Sequence, residues 1–405
     1  MKIYEIGTGY TSIPAQMGAA TEIVVEELTK AMLQQGVDVT ILDVKDAHRL
    51  SCTLPIEEVY LPQIFSTGAV EKLGIVHKMK RVLYSVSLAF KLRSIIKVSS
   101  EHLYLHFHNQ YNLFFFLKMT PRKLREKVTI GYTVHSHVWF GSWEDVKDTI
   151  SHRYFQEVYC CQHADKVFVL NDIVAGMLTE HYNVNRDRIC KVINGVNTDV
   201  YNAAHVDTKK LEEVREQYGL KDKHVVLQVG SVCDRKNQLG TLQLLLPIMK
   251  SDPRLIFVYV GGIIDTVYAR QIWDYANDNH VGDRVIYLGE VLPGSGLNVV
   301  YTLADVCIMN SKSEAFALVI AESLSVPRPI FINLQILDSL PFLKERIGDG
   351  ILPIDEQFSN YLQRVFNEEE YAQVLRQRGR EFIEKEYSWK IVAEKYRIAL
   401  WQKRN

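Results

Sequence analysis

The chain consists of short, almost wholly apolar runs that alternate with stretches of helical periodicity. The first half contains "MKIYEIG", "HLYLHFH" and "VTIGYTVH", and the second half contains "VVLQVGSV", "RLIFVYVGG" and "DVCIMNS". Strands that are apolar on both faces are typical of parallel sheets that are covered by helices on both sides. The alternation therefore predicts an α/β fold with doubly wound parallel sheets.

The length of the chain and a change of character near its middle indicate two domains. A chain of 405 residues is longer than one hydrophobic core usually organises. The segment after Tyr201 is polar and charged, and the strand–helix alternation then starts again, so we place the boundary near residues 201–222. Because ligands of doubly wound folds bind beyond the carboxyl ends of the strands, we expect the site in a cleft between the two domains.

Charge and composition exclude several classes of protein. The net charge of -1 gives no electrostatic reason to expect a nucleic-acid partner. The six cysteines are scattered and form no CxxC pair, which favours reduced thiols over a disulfide framework. The N-terminus reads directly as a strand rather than a signal peptide, and no apolar run reaches the ~20 residues of a membrane span. We therefore expect a cytoplasmic protein.

Three histidines end apolar strands: His106, His108 and His135. Side chains at strand ends point into the expected cleft, where an imidazole can bind a sugar hydroxyl or a phosphate, or move a proton. A structural role for at least one of them is the competing interpretation. Metal binding is disfavoured, because no carboxylate or cysteine lies at short spacing.

Two loops that follow strands carry groups suited to phosphate. The loop "MGAATE" places a glycine before a helix, where free N–H groups attract anions, although a merely flexible loop would look the same. In "VGSVCDRKNQ", Arg235 and Lys236 follow a buried strand and could neutralise a diphosphate leaving group. Ordinary surface cations are the alternative interpretation.

The stretch "SEAFALVIAES" brackets an apolar run with two carboxylates, Glu314 and Glu322. Glu314 is expected in the turn after a strand and Glu322 within the helix that follows. The N–H groups of Phe316, Ala317 and Leu318 would then lie at the helix N-terminus and point at an anion. A phosphate flanked by two carboxylates that accept hydrogen bonds from hydroxyls describes a site for a nucleotide sugar.

Together these stretches resemble retaining glycosyltransferases of the GT-B fold, close to glycosyltransferase family 4. The resemblance covers nearly the whole chain and runs in order through "MGAATE", "TVH", "ADKVFVLN", "KVINGVNTDVY", "VGSVCDRKN", "RVIYLGEV", "SEAFALVIAES" and "YSWKIVAEKY". It implies two Rossmann-like domains that face each other across a cleft. The N-terminal domain (1–205) would bind the acceptor, the C-terminal domain (206–385) would bind the donor, and a final helix (386–405) would pack back on the first domain.

The resemblance also implies roles for individual residues. Glu314 would contact the donor sugar and support positive charge at its anomeric carbon, Glu322 would hold the ribose, Lys236 would bind the diphosphate, and His135 would lie beside the reacting sugar. The other implied donor-binding residues are Gly18, Ser231, Arg235, Glu290, Phe316, Ala317 and Leu318, and the implied acceptor-binding residues are His108 and Asn109.

The implied activity is metal-independent, retaining transfer of a hexose or N-acetylhexosamine to a glycan or glycolipid, as in polysaccharide biosynthesis. The donor would be a nucleotide sugar, with UDP as the expected nucleotide, and no further cofactor is implied. Ser231 replaces the family's phosphate-binding arginine, and Pro327 replaces an expected glycine. These departures keep open a catalytically degenerate subunit that binds sugar nucleotide or glycan and assists a partner transferase. An epimerase on the same fold, which would need no acceptor, is a third reading.

Residues 75–97 mix apolar side chains with several lysines and arginines. A basic amphipathic helix can lie on an anionic membrane surface, which would place the protein at the inner face of the membrane beside lipid-linked acceptors. The alternative is a core-facing helix whose cations form its solvated edge.

Overall fold

The computed structural model describes residues 2–15, 20–62, 75–139, 141–314 and 318–401, without the side chains of 75–77 and 137. The chain divides into two compact units. The first unit runs to Gly195 and resumes at Trp389, and the second runs from Val196 to Ser388. The sequence placed the domain boundaries between residues 205 and 206 and between residues 385 and 386. The contacts place the unit boundaries between residues 195 and 196 and between residues 388 and 389.

The first unit contains a seven-stranded parallel sheet. Its strands are β1 (Lys2–Ile6), β2 (Asp38–Val44), β3 (Ile56–Val59), β4 (Leu103–Phe107), β5 (Val128–Val134), β6 (Lys166–Val169) and β7 (Ile189–Lys191). Its helices before the second unit are α1 (Ala20–Gln34), α2 (Ile75–Val98), α3 (Gln110–Met119), α4 (Arg122–Arg125), α5 (Trp143–Arg153), α6 (Phe155–His163) and α7 (Asp172–Tyr182). The strand order is β3-β2-β1-β4-β5-β6-β7.

The second unit contains a six-stranded parallel sheet. Its strands are β8 (His224–Val229), β9 (Leu255–Val260), β10 (Val285–Tyr287), β11 (Val306–Met309), β12 (Ile330–Asn333) and β13 (Ile351–Ile354). Its helices are α8 (Thr208–Gln217), α9 (Gln238–Ser251), α10 (Thr266–Asp278), α11 (Ser295–Leu303), α12 (Leu318–Ser325), α13 (Leu334–Ser339), α14 (Pro341–Lys344), α15 (Phe358–Asn367) and α16 (Glu369–Glu386). The chain then returns to the first unit in α17 (Trp389–Trp401).

The predicted fold class is confirmed, because both sheets are parallel and alternate with helices along the chain. The order β10-β9-β8-β11-β12-β13 repeats the Rossmann pattern of the first sheet. In each unit the strand order reverses beside the first strand, between β1 and β4 and between β8 and β11. Ligands of such sheets bind outside the carboxyl ends of the strands at this reversal, so the loops there are the first place to look for a site.

The first sheet is covered on both faces by apolar clusters. Tyr4 and Ile6 of β1 belong to one cluster, and Ile3 belongs to another that includes side chains of α1 and α17. Alternate residues of a strand point to opposite faces, which explains why every second residue joins the same cluster. The last helix therefore completes the core of the first unit.

Two further observations concern residues that the structure describes. All six cysteines are free thiols. None of the described helices combines the length and the apolar character that crossing a membrane requires.

The contact between Gly195 and Trp389, where the chain leaves and re-enters the first unit, gives a test of this packing. A Cβ added at Gly195 would lie 2.5 Å from Cδ2 of the Trp389 indole. We expect Gly195→Ala to lower the free energy of unfolding by about 1–3 kcal/mol, because the buried ring must move.

Gly176→Ala is the matched control, since this glycine lies inside α7 and its added Cβ would approach nothing closer than 3.8 Å. In denaturant titrations it should be neutral or stabilise the protein by up to about 1 kcal/mol. Equal stability of Gly195→Ala and the unsubstituted protein would contradict the packing described here.

Candidate functional site

In the second unit, the loops after β8 and β11 are joined by hydrogen bonds. The backbone N–H of Lys312 donates to the carbonyl of Arg235 at 2.8 Å. Two side-chain amides also hold the loop after β8. Gln228 Nε2 donates to the Lys236 carbonyl at 2.6 Å, and Gln238 Nε2 donates to the Ser231 carbonyl at 3.0 Å. These bonds hold two neighbouring cations, Arg235 and Lys236, at the strand-order reversal.

Both cations contact the carboxylate of Glu314. Lys236 Nζ lies 2.5 Å and Arg235 Nη1 lies 3.1 Å from Glu314 Oε1, and Arg235 Nη1 also donates to the Ser313 carbonyl at 2.9 Å. Glu314 is only 7% exposed. Burial alone would raise the pKa of its carboxyl, but the charges of Lys236 and Arg235 outweigh burial and lower it. Glu314 is therefore an ionised, paired carboxylate at the end of β11.

The backbone segments after β8 and β9 approach each other closely at this site, because both contain glycines. Gly261, after β9, has a φ of +139°, and a Cβ there would lie 2.3 Å from the Gly230 carbonyl oxygen. A Cβ on Gly262 would meet the carboxyl of Glu290 at 3.3 Å, which places this exposed side chain beside the same loop. Ser231 follows Gly230 directly. The structure thus brings Ser231, Arg235, Lys236, Glu290 and Glu314 to loops at one edge of the sheet.

Glu322 has a different environment from Glu314. It lies in α12, and its Oε2 accepts a hydrogen bond of 2.7 Å from the buried hydroxyl of Tyr301. Burial raises the pKa of Glu322, although hydrogen bonds from Tyr301 and Tyr201 oppose the rise. Leu318 is the first residue of α12. Gly18, Phe316 and Ala317 lie outside the described residues, so their predicted roles stay predictions.

In the first unit, a chain of buried hydrogen bonds runs across the ends of β1, β4 and β5. Thr133 Oγ1 lies 2.7 Å from His106 Nε2, and His106 Nδ1 lies 3.1 Å from Glu5 Oε1. Glu5 Oε2 lies 2.8 Å from His108 Nε2, and His108 Nδ1 lies 3.0 Å from His135 Nε2. The register pairs Glu5 with His106, so the first contact follows directly from the sheet.

The partners in this chain assign the protons. Ionised Glu5 only accepts hydrogen bonds, so His106 Nδ1 and His108 Nε2 must donate to it. A neutral His108 then accepts at Nδ1, and His135 donates to it from Nε2. His135 consequently keeps a lone pair on Nδ1, the form in which an imidazole accepts a hydrogen bond from a hydroxyl.

The pKa shifts of these groups agree with that assignment. Burial alone would raise the pKa of Glu5, but the charge and hydrogen bond of His106 and the hydrogen bond of His108 lower it to about 2. Burial lowers the pKa of His108 to about 4, against the opposing effect of Glu5. Burial, helped by the neighbouring His108, also lowers the pKa of His135 well below its usual value. At neutral pH the carboxylate is charged and both of these imidazoles are neutral.

Glu5, His106 and His108 could also hold a metal ion, since one ligand atom from each lies within 4.8 Å of the others. The sequence argument against metal considered only carboxylates and cysteines at short spacing, whereas Glu5 is 101 residues from His106 along the chain and reaches it from the neighbouring strand β1. A structural zinc site needs four ligands. Among the described residues, no fourth His, Cys, Asp or Glu has a ligand atom within 4.8 Å of all three, although His135 contacts His108.

Beside this chain, the first unit contains a pocket of about 630 Å³. His108, Asn109 and His135 line it, as do residues that sequence reasoning missed: Thr8, Tyr10, Thr21, Lys78, Arg81, Gln110, Tyr111, Tyr132, Ser136, Arg153, Tyr154 and Glu157. Asn109 caps α3, because its side chain accepts from the N–H of Tyr111 at 2.9 Å. His108 and Asn109, predicted as acceptor-binding residues, therefore lie together with His135 at one pocket.

Among the described residues that line this pocket, Glu157 is the one with a carboxyl group. Burial raises its pKa to about 7, against the hydrogen bonds of 2.8 Å that it accepts from Trp139 Nε1 and the Tyr132 hydroxyl. No spacing rule points to Glu157 or Glu5. The available signal was an acid at an inward position of an apolar strand or helix, where a carboxyl must find buried donors.

Comparisons with known proteins agree with this geometry. Residues 21–200 match the family model of Glycosyltransferase Family 4, and residues 210–382 match that of Glycosyl transferases group 1. Between them the two matches cover most of both units. The chain belongs to the glycosyltransferases of the GT-B type.

Individual relatives are distant. Spore coat protein SA of Bacillus subtilis is 23% identical over 247 residues, which are 58% of this chain and 64% of that protein, so the match spans less than two thirds of this relative. Sucrose-phosphate synthase from Thermosynechococcus elongatus has the same fold, with a TM-score of 0.72, 19% identity and 98% of each chain covered. Anabaena HepE, solved with UDP and glucose, also has a TM-score of 0.72, at 12% identity over 100% of both chains.

The histidine–carboxylate chain predicts how stability depends on pH. The folded pKa of His108, about 4, lies below its ordinary value of 6.5, so the unfolded state binds more protons between these values. The free energy of unfolding should therefore fall as the pH drops from 6.5 towards 4, by about 3 kcal/mol from His108. Glu5 adds a further loss between pH 4.5 and 2.

Urea titrations of metal-free protein across this range measure the effect. His108→Asn should flatten the slope of stability against pH above pH 4, whatever it does to stability at neutral pH. The control is His48→Asn, which removes an exposed imidazole and should keep the slope. An unchanged slope in His108→Asn would show that His108 is not held neutral by the fold.

Proposed function

We propose that the protein transfers a hexose or N-acetylhexosamine, with retention at the anomeric carbon and without a metal ion, from a UDP-sugar to a glycan or lipid-linked acceptor. The observation that carries the proposal is the contact of Glu314 with Lys236 and Arg235 at the end of β11. A nucleotide sugar has a doubly charged diphosphate next to a sugar that develops positive charge. Two cations beside one carboxylate supply the complementary charges.

In the proposed reaction, the bond between the anomeric carbon and the diphosphate oxygen breaks. Lys236 and Arg235 neutralise the negative charge that develops on the leaving diphosphate. Glu314 stabilises the positive charge on the sugar ring. The acceptor oxygen forms the new bond on the face that the diphosphate leaves, and its proton passes to the departing phosphate oxygen.

Arg235 supports activity despite the serine at position 231. The family resemblance places an arginine there, and Ser231 cannot supply the charge. Arg235, one residue before Lys236, reaches the same carboxylate with its guanidinium. We assign it the role of the second phosphate-binding cation. UDP in the Anabaena neighbour HepE, which has the same fold, supports UDP as the nucleotide of the donor, with uracil as its base.

In the first unit, we place the acceptor in the pocket lined by His108, Asn109 and His135. His135 would accept a hydrogen bond from a sugar hydroxyl through Nδ1. Glu5 acts as a positioning residue, because its hydrogen bond to His108 fixes the tautomer of His135.

Substitutions around Glu314 test the donor site. We expect Glu314→Gln and Lys236→Gln each to lower kcat for transfer by about 100-fold, because each removes charge stabilisation that grows in the transition state. Arg235→Gln should lower kcat less than Lys236→Gln, since Arg235 shares its charge with the Ser313 carbonyl. Turnover with a panel of nucleotide sugars and acceptors measures this.

Lys312→Gln is the matched control, because Lys312 follows β11 in the same loop but pairs with the exposed Asp234. It should keep the activity of the unsubstituted protein. UDP binding with no turnover, and no response to Glu314→Gln, would support the degenerate subunit instead. Conversion of free UDP-sugar without an acceptor would support an epimerase.

We also propose that α2 contacts an anionic membrane surface, at the cytoplasmic face. Met79, Val82 and Phe90 are exposed by 50%, 43% and 56%, and their spacing of three, then eight residues places them on one side of the helix. Arg93 and Lys97 continue this side, so apolar groups and cations face solvent together.

Co-sedimentation with phosphatidylcholine vesicles, with and without phosphatidylserine, tests the contact. Binding should need phosphatidylserine and should fall at least severalfold when Met79 and Phe90 are both replaced by serine. Trp273→Ser removes a comparably exposed aromatic ring from α10 and should bind as the unsubstituted protein does. Binding that is independent of phosphatidylserine would contradict the proposal.

A further inference from the structure

We propose that the pocket of the first unit binds an acceptor that carries a phosphate group beside its sugar. The proposal rests on the proposed function in taking the occupant of this pocket to be the acceptor. It adds the chemical class of that acceptor, which neither the fold nor the implied activity specifies.

The charges of the pocket lining are unbalanced. Lys78, Arg81 and Arg153 line it, and Glu157 is the single carboxyl group of the lining within the part of the chain that the structure describes. The pKa of Glu157 is raised to about 7, so at neutral pH it offsets less than one cation. An occupant with two negative charges would balance this lining, and a phosphate monoester carries about that charge.

Arg81 is the cation of the lining whose position is defined by two aromatic rings. Its guanidinium lies 4.4 Å from the ring centre of Tyr111 and 5.4 Å from that of Tyr10, so two aromatic rings hold it in place. Its Nε has no hydrogen-bond partner among the described residues. An arginine that is fixed in this way has its donors preorganised for phosphate oxygens.

The remaining lining suits a sugar rather than a purely ionic ligand. Tyr10, Tyr111 and Tyr154 supply ring surfaces, while Asn109 and Ser136 supply groups that exchange hydrogen bonds with hydroxyls. The volume of about 630 Å³ lies within the usual range for pockets that enclose small organic ligands. The pocket therefore offers one region for a sugar ring and one for an anion.

Arg93 of the same helix gives a matched comparison outside the pocket. It also lies near an aromatic ring, with 5.6 Å to the centre of Phe90, but Phe90 is exposed and Arg93 does not line the pocket. Both arginines therefore lie in α2, but of the two it is Arg81 that lines the pocket. This makes the pair a direct comparison.

Calorimetric titration with glucose 6-phosphate, glucuronic acid and glucose tests the proposal. We expect glucose 6-phosphate to bind at least tenfold more tightly than glucose, and its affinity to weaken as salt is added. Arg81→Gln should reduce that preference by about tenfold, and Arg93→Gln should keep it. Arg153→Gln removes an exposed cation, cannot disturb the core, and should reduce the preference in the same direction.

An alkyl glucosyl phosphate in micelles separates the two sources of such a phosphate. Tighter binding of this probe than of glucose 6-phosphate assigns the pocket to lipid-linked acceptors, and the reverse assigns it to soluble sugar phosphates. Equal affinities for glucose and glucose 6-phosphate, stronger binding of glucuronic acid, or no binding of either phosphate probe would each overturn the proposal.

Titration of the same protein with UDP distinguishes a failure of this proposal from a failure of the proposed function. UDP binding and turnover without a preference for phosphate in the first unit would contradict only the acceptor class. A preference for phosphate without turnover of any nucleotide sugar would contradict the proposed activity, while the pocket would still be a site for sugar phosphates.

Discussion

Parallel hydrogen bonding in the two sheets is the constraint on which the rest of the structure depends. It brings the carboxyl end of every strand to one edge, so groups that are far apart along the chain become neighbours. Arg235 and Glu314 meet in this way although 79 residues separate them, and Glu5 meets His108 across 103 residues. Helices cover the faces of the first sheet, which leaves this edge as the place where polar side chains can gather.

The two units use that edge differently. In the second unit, charge is concentrated on Glu314 and its two cations, an arrangement suited to a ligand with separated charges. In the first unit, the carboxylate of Glu5 is enclosed, and its effect reaches the pocket only through His108 and His135. One unit therefore stabilises charge directly, and the other sets the proton positions of neutral groups.

Local sequence pattern was sufficient for the fold and for part of the site. Apolar runs with flanking turns identified the parallel strands, and "DRK" and "SEAF" after such runs identified Arg235, Lys236 and Glu314. Glu5, Arg81 and Glu157 were not predicted as site residues, because their environments are made by contacts between segments that are distant in the sequence. A carboxylate within "KIYEI" has no distinguishing neighbour in the sequence, and its partner His106 is set by strand register alone. The boundary of the first unit was also hard to locate, since only contacts show that Trp389 returns to it.

The return of α17 to the first unit has a consequence for biosynthesis. A ribosome makes residues 196–388 before it makes the helix that covers Ile3, Val24 and Phe168. Until then, the part of this apolar cluster that α17 covers lacks its partner, while the whole sequence of the second unit has already been made. Contacts between the first strands and the last helix span nearly the full chain, and such long sequence separation slows folding. The first unit to be translated is thus the last to be completed, because its core waits for the final helix.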